Sequence, residues 1–149
     1  MVVVERISIA KASPKTIWNK CFAPMTWETW DPDVEKLEEV TSNADGEKLY
    51  DGTKFTFCMK TGIKAPCTVE MKEHELLVFR GAFFMGTASF EGKILLSPEG
   101  KDATKVTYSF GMEGIIGGLV GRLNKKAVVE GTEKGLENIV KLSEEASEK

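Results

Sequence analysis

Hydrophobic residues recur mostly at every second position along the first three quarters of this chain, which is the spacing of half-buried strands. A first strand is predicted over Glu5 to Lys11, and two short helices follow it. Six further strands are predicted after the helices, and beyond residue 114 the spacing becomes helical. The six strands are Val34 to Thr41, Thr53 to Met59, Ile63 to Met71, Glu75 to Gly81, Gly86 to Leu96 and Thr104 to Met112.

Residues typical of helix ends mark the limits of the two short helices. Ser13 followed by Pro14 is an N-cap residue followed by proline at the first helical position, so the first helix begins there. Pro24 ends it, because proline cannot donate a helical hydrogen bond. A second short helix is predicted from Met25 to Trp30, closed by Asp31 and Pro32.

The length of the turn between the second and third of the six strands can be predicted, because it determines which residues of the two strands share a face of the sheet. A two-residue loop would place Phe57 on the same face as Lys64 and Pro66. A three-residue loop, Lys60 to Gly62, pairs Met59 with Ile63, brings the apolar residues of both strands onto one face and puts Gly62 at the left-handed position. We therefore predict the three-residue loop, with Cys67 opposite Phe55 and Cys58 pointing away.

A long amphipathic helix is predicted from Ile115 to about Ser143, followed by a polar tail that frays. Its apolar residues are Leu119, Leu123, Ala127, Leu136, Ile139 and Leu142. An antiparallel sheet needs one covered face, and only this helix is large enough to cover it. The 149 residues therefore predict a single α+β domain, residues 1–149, in which a curved seven-stranded antiparallel sheet surrounds a long C-terminal helix.

Composition narrows the class of partner. A net charge of -3 with interspersed signs lacks the basic field that nucleic-acid binding needs, so no nucleic-acid partner is expected. No apolar run spans a bilayer and the N-terminus lacks a signal-like region, so we expect a cytoplasmic protein with no stable membrane insertion. Three cysteines without CxxC spacing, Cys21, Cys58 and Cys67, predict buried or half-buried thiols rather than disulfides or zinc ligands.

Candidate catalytic and metal-binding groups are few. The one histidine, His74, lies between Glu73 and Glu75 in a predicted turn, where side chains diverge, so no metal site and no cofactor are predicted. No nucleophile has an obvious base, so no catalytic residue is assigned. The acids nearest the predicted inward faces are Glu28, Asp31 and Glu130; Tyr108 or Arg122 is the candidate polar anchor if the protein is an enzyme.

The glycine-rich stretch from Gly114 to Gly121 lies between a strand and a helix, which is the context of a phosphate-binding loop. It has neither the GxGxxG spacing nor the GK[ST] ending, so we reject a phosphate site. Two interpretations remain open: a flexible connection to the last helix, and a mobile apolar hinge that gates a pocket or touches a membrane surface.

The chain resembles the START-like superfamily, also called SRPBCC. The resemblance is carried by the first strand, Ala12-Ser13-Pro14 with Ile17-Trp18, Trp30-Asp31-Pro32, and the later strands Leu77 to Gly81 and Thr104 to Thr107. It implies a helix-grip fold with a cavity between the sheet and the last helix. Members bind lipids, sterols or polyketides; some are aromatase/cyclases, some carry quinones, and some are co-chaperones.

Aromatic side chains that share one predicted face are the main indication of a site. Opposite them the last helix offers small residues, Ala127, Gly131 and Gly135, where either the helix packs tightly on the sheet or space is left for a ligand; the resemblance favours a cavity. Trp18 and Trp30 are predicted to be structural and Trp27 to be exposed at the pocket mouth. The predicted ligand-binding residues are Trp27, Phe55, Phe57, Met59, Phe79, Phe90, Tyr108, Phe110, Leu119, Leu123, Ala127 and Gly131.

Three functions therefore compete. The first is a binding or carrier protein, expected to be a monomer, for a small hydrophobic ligand such as a lipid, polyketide or aromatic molecule. The second is a cyclase or dehydratase acting on a polyketide-like substrate, which two or three converging polar groups in the cavity would favour. The third is a co-chaperone-like interaction module, which a filled core and a large exposed apolar patch would favour.

Overall fold

Seven strands and three helices make up the part of the chain that the structure, a computed structural model, describes: residues 2–38, 50–60, 62–83, 86–113 and 125–147. The helices are α1 (Pro14–Cys21), α2 (Trp27–Trp30), which follows a 3-10 turn at Pro24–Thr26, and α3 (Lys125–Ser147). The strands are β1 (Val2–Ala10), β2 (Val34–Glu38), β3 (Lys54–Met59), β4 (Lys64–Lys72), β5 (Leu76–Phe83), β6 (Ala88–Pro98) and β7 (Thr104–Glu113).

The strands form one antiparallel sheet in the order β1-β7-β6-β5-β4-β3-β2. Each strand after β2 pairs with its predecessor, and β1 closes the order by pairing with β7. Helix α3 packs on β1 and β7 of the sheet and on α1 and α2. This arrangement confirms the predicted α+β helix-grip fold.

Local signals read from the sequence hold at the first helix and at the hairpin between β3 and β4. The Ser13 hydroxyl accepts a hydrogen bond from the Thr16 N–H at 3.2 Å, with Pro14 in the first turn. In the hairpin the Met59 N–H donates to the Ile63 carbonyl at 2.8 Å, and Gly62 has a φ of 92°. The three-residue loop is thus confirmed.

The strand register also agrees with the parity argument. Phe55 lies opposite Cys67, and Cys58 lies opposite Lys64. All three cysteines are free and buried, as predicted. His74 has a φ of 66° and lies in the turn between β4 and β5, as predicted.

The end of the last helix differs from the prediction. Helix α3 continues to Ser147, whereas fraying was expected after Ser143. Ser143 is fully buried beside the Cys21 thiol of α1, and the Glu144 carboxylate accepts a hydrogen bond from the Lys11 N–H at 2.8 Å. These contacts hold the last turns against the body of the protein, so the polar composition of the tail was misleading.

Several predicted features lie outside the described residues. They are the start of the C-terminal helix at Ile115, the glycine-rich stretch Gly114 to Gly121, the end of the Val34 to Thr41 strand beyond Glu38, and the side chains of Leu119, Leu123 and Arg122.

Candidate functional site

A cavity of about 300 Å³ lies between α3 and the inner face of the sheet, and we refer to it as the α3 cavity. Its walls are mostly apolar side chains from β2, β3, β5, β6, β7 and α3. The lining residues are Asp31, Asp33, Val34, Phe57, Met59, Lys60, Ile63, Phe79, Phe90, Tyr108, Phe110, Met112, Ala127, Val128, Gly131 and Thr132.

Most of the predicted ligand-binding residues in the described part of the chain line the α3 cavity. They are Phe57, Met59, Phe79, Phe90, Tyr108, Phe110, Ala127 and Gly131. The alternation along β3, β5, β6 and β7 places the aromatic residues on this face. Ala127 is exposed and therefore belongs to the rim of the cavity. Leu119 and Leu123 lie outside the described residues.

Trp27 and Phe55 are placed differently from the prediction. Trp27 is fully buried (0% exposed) and does not lie at the cavity mouth. Its ring lies 5.0 Å from Phe79 and 5.6 Å from Phe55, and its indole N–H donates to Asp31 Oδ2 at 3.1 Å. An indole whose N–H has a partner can be fully buried, so this tryptophan fills the core behind the cavity. Phe55 is also buried and does not line the cavity.

The two glycines of α3 have different surroundings. A Cβ atom added to Gly135 would lie 3.1 Å from Tyr108 Cε2 and 3.7 Å from Pro32 Cδ, so this glycine allows close packing of the helix. At Gly131 the three nearest heavy atoms all belong to the Asp33 carboxylate, with Oδ2 at 2.9 Å. Close packing therefore holds at Gly135, whereas Gly131 borders the cavity.

Polar groups gather at one end of the cavity, where the Asp31-Pro32-Asp33 turn follows α2. Asp31 is 7% exposed, and its two oxygens accept hydrogen bonds from the Trp27 indole N–H and the Asp33 backbone N–H, both at 3.1 Å. Burial raises the pKa of Asp31 to about 6, against the lowering effect of these two donors. Asp31 therefore fixes the turn and also contributes negative charge.

Asp33 and Lys60 both line the mouth of this end. Asp33 is exposed, yet enough protein surrounds its carboxyl that burial raises its pKa, while the charge of Lys60 acts in the opposite direction. The Lys60 N–H donates to the Asp33 carbonyl at 3.1 Å, which ties β3 to the turn. Among the described residues, the Asp33 carboxylate accepts no hydrogen bond, so its oxygens are available to a ligand.

Tyr108 completes this polar end from β7. The residue is only 4% exposed, and burial, followed by the charges of Asp31 and Asp33, raises the pKa of its hydroxyl well above the usual value. The hydroxyl stays protonated and can donate. The hydroxyl has no hydrogen-bond partner among the described residues. Every fully buried polar side-chain atom in that part of the chain has a partner, so this hydroxyl is not fully buried and faces the cavity.

The polar end was only partly foreseen from sequence. Asp31 was one of three candidate acids; the other two, Glu28 and Glu130, are exposed and do not line the cavity, and Glu130 lies 3.9 Å from Lys126. Asp33 and Lys60 were missed, as were the lining residues Val34, Ile63, Met112, Val128 and Thr132. The available signal was the Asp-Pro-Asp turn, because Asp side chains commonly bond the backbone two residues on.

A second, wider depression of about 570 Å³ lies outside, between β1 and α3. Charged side chains dominate its lining, including Arg6 and Glu133, which form an ion pair at 3.4 Å. The α3 cavity offers more apolar area to a ligand and is more enclosed, so it is the better candidate. In the described ranges no three His, Cys, Asp or Glu side chains are placed to hold a metal ion.

Comparison with known families assigns the chain to a protein family. A family model described as polyketide cyclase / dehydrase and lipid transport matches residues 1–144, so the chain belongs to this family, as the START-like resemblance implied. None of the curated protein sequences matches the chain.

Solved structures share the fold. Protein jhp0584 of Helicobacter pylori is 17% identical, with a TM-score of 0.80 over 95% of this chain and 88% of its own. TTHA0849 of Thermus thermophilus is 20% identical, with a TM-score of 0.66 over 98% and 99%. A Thermobifida fusca protein solved by NMR is 14% identical, with a TM-score of 0.69 over 99% and 95%. At these identities the likeness concerns the fold alone. None of the described helices is long and apolar enough to cross a membrane.

Proposed function

We propose that this protein binds and carries a small hydrophobic molecule in the α3 cavity. The observation that supports this most is a cavity of about 300 Å³ walled by the convergent side chains Phe57, Phe79, Phe90 and Phe110. Ligand pockets are typically 300–1,000 Å³ and mostly apolar, so this one suits a compact ligand. The family description, which includes lipid transport, supports the same function.

The residues proposed to contact the ligand are those that line the cavity, with Gly131 leaving the space beside α3. Phe90 and Phe110 stack with ring centroids 5.9 Å apart and form one aromatic wall. Met59 and Met112 add flexible side chains, which adapt to ligands of different shape. Trp27 packs behind Phe57 and Phe79, and Phe55 packs against Phe57, so neither is proposed as a contact.

Native mass spectrometry of freshly purified protein, with lipid extraction of the same sample, tests whether a molecule is carried. Titration with the uncharged dye N-phenyl-1-naphthylamine tests the cavity itself. We expect saturable one-site binding that Gly131→Leu weakens at least tenfold. The matched control is Glu137→Leu, which adds the same side chain to a solvent-exposed position of α3. Absence of saturable binding by the native protein would contradict the proposal.

A cyclase or dehydratase activity is the second candidate, because Asp31, Asp33, Lys60 and Tyr108 gather at one end of the cavity. Such groups can move protons on a bound polyketide-like substrate. However, both Asp31 oxygens already accept hydrogen bonds that hold the turn. Incubation with a linear poly-β-ketone substrate separates the two candidates: ring formation that Asp33→Asn and Tyr108→Phe abolish would establish the enzyme, whereas unchanged substrate favours the carrier.

A further inference from the structure

We infer that the ligand of the α3 cavity is an apolar molecule that carries a hydroxyl group, received between Tyr108 and Asp33. This inference rests on the proposed function and specifies the chemistry of its ligand. It starts from Tyr108, which is 4% exposed, lines the cavity, and has no hydrogen-bond partner for its hydroxyl among the described residues. Because this hydroxyl faces the cavity, its hydrogen-bond partner must be a ligand or a water molecule there.

Tyr108 and Asp33 lie beside successive turns of α3 at the same end of the cavity. The Asp33 carboxylate lies 2.9 Å from the Cβ position of Gly131, and the Tyr108 ring lies 3.1 Å from the Cβ position of Gly135. These two helical positions are one turn apart, or about 6 Å. The charge of Asp33 also contributes to the raised pKa of Tyr108, as expected for neighbouring groups.

The two groups offer complementary hydrogen bonds. Tyr108 remains protonated and can donate, whereas the Asp33 carboxylate, when ionised, offers two oxygens that accept. A ligand hydroxyl fits both, because its oxygen accepts from Tyr108 while its hydrogen is donated to Asp33. An ether can only accept, and a protonated amine can only donate, so each satisfies one of the two groups.

The local charges disfavour an anionic ligand. Asp31 and Asp33 contribute two carboxylates to this end, against the single ammonium group of Lys60. Lys60 and Asp33 are both exposed, so solvent stabilises their charges, whereas Asp31 is buried beside the cavity. A ligand carboxylate would therefore meet net negative charge here, and a fatty-acid anion is not the expected cargo.

Four naphthalenes of similar size test this inference by isothermal titration calorimetry: 2-naphthol, 2-methoxynaphthalene, 2-naphthylmethylamine and 2-naphthoic acid. We expect 2-naphthol to bind at least tenfold more tightly than each of the others, a difference of about 1.4 kcal/mol. Asp33→Asn and Tyr108→Phe should each reduce the advantage of 2-naphthol over 2-methoxynaphthalene to less than threefold. The control Leu95→Ala on β6, whose side chain is exposed and does not line the cavity, should preserve it.

The outcomes separate this inference from the proposed function. Equal or tighter binding of 2-methoxynaphthalene, of the amine or of the acid overturns the hydroxyl assignment but leaves a ligand-binding cavity. A native preference for 2-naphthol that neither variant changes overturns the assignment to Tyr108 and Asp33. If none of the four probes binds, the proposed function and the inference both fail. Since Tyr108 is buried, Asp33→Asn at the open mouth provides the result if Tyr108→Phe does not fold.

Discussion

Leucine substitutions at Gly131 and Gly135 should have opposite effects on stability, although the two glycines are one turn apart on α3. Replacing a helical glycine by a good helix former gains roughly 1 kcal/mol at either position. At Gly131 the atoms nearest to the added Cβ belong to the Asp33 carboxylate, the end of a side chain that can turn towards solvent, and the leucine then extends into the cavity. Burying part of a leucine there adds about 1 kcal/mol, since full burial is worth about 1.5–3.

Gly135 offers no such space. Its Cβ position lies 3.1 Å from Tyr108 and within 3.8 Å of Trp30, and both rings are held in the core. Overpacking costs about 1–3 kcal/mol or more, which exceeds the gain in helix propensity. We therefore expect Gly131→Leu to leave the free energy of unfolding unchanged or raise it by up to ~2 kcal/mol. Gly135→Leu should lower it by up to ~2 kcal/mol, the overpacking cost less the gain in helix propensity.

Urea denaturation of the two variants, read by tryptophan fluorescence, measures these changes, and dye titration of the same samples measures the cavity. Gly131→Leu should lose dye binding while it keeps its stability. A clear loss of stability in Gly131→Leu would show that α3 packs directly on the sheet at this position. Our reasoning about the cavity would then be refuted.

Two further predictions concern titratable groups in the core. Burial raises the pKa of Asp31 to about 6 in the folded protein, against an ordinary 3.8. Ionising Asp31 therefore costs the folded state on the order of 2–3 kcal/mol more than the unfolded state. As the pH rises from about 4 to 6, the contribution of Asp31 to the free energy of unfolding should fall. Denaturation at several pH values should show this fall as a difference from Asp31→Asn; no difference in slope would contradict it. Burial also raises the pKa of the Cys21 thiol to about 11 and raises that of Cys67, so both should react with Ellman's reagent at pH 7 only on unfolding. Fast reaction of either thiol in the native protein would count against this prediction.

The fold was predictable because its elements are marked by local chemistry. Ser13 and Pro14 mark the start of α1, and alternation of apolar and polar residues marks the strands. The requirement that apolar residues share one face predicted the β3–β4 register, which the hydrogen bond from Met59 to Ile63 confirms. These signals act over a few residues, so they can be read from the sequence. The end of α3 could not be read in this way, because it depends on contacts of Ser143 and Glu144 with residues more than 100 positions away.

The aromatic wall of the site was also predictable, since alternation determines which side chains share a face. The sequence could not indicate which aromatic side chains reach the cavity surface. Trp27 and Phe55 are aromatic like the lining residues, but they are buried and do not line the cavity. The sequence also could not show that Gly131 and Gly135 have different surroundings. That difference depends on a residue distant in sequence, Asp33 beside Gly131 and Tyr108 beside Gly135. Asp33 was missed because its role arises from a turn that carries it to the helix.

The most direct test of ligand binding in the α3 cavity uses protein labelled with ¹³C at the methionine methyl groups and titrated with 2-naphthol. Met59 and Met112 line the cavity, whereas Met25 is exposed at 62% and does not. We predict saturable shifts of the Met59 and Met112 methyl signals, with nuclear Overhauser contacts to the naphthol ring, while the Met25 signal stays unchanged. Saturable binding that shifts Met25 and leaves Met59 and Met112 unchanged would contradict a ligand site between α3 and the sheet.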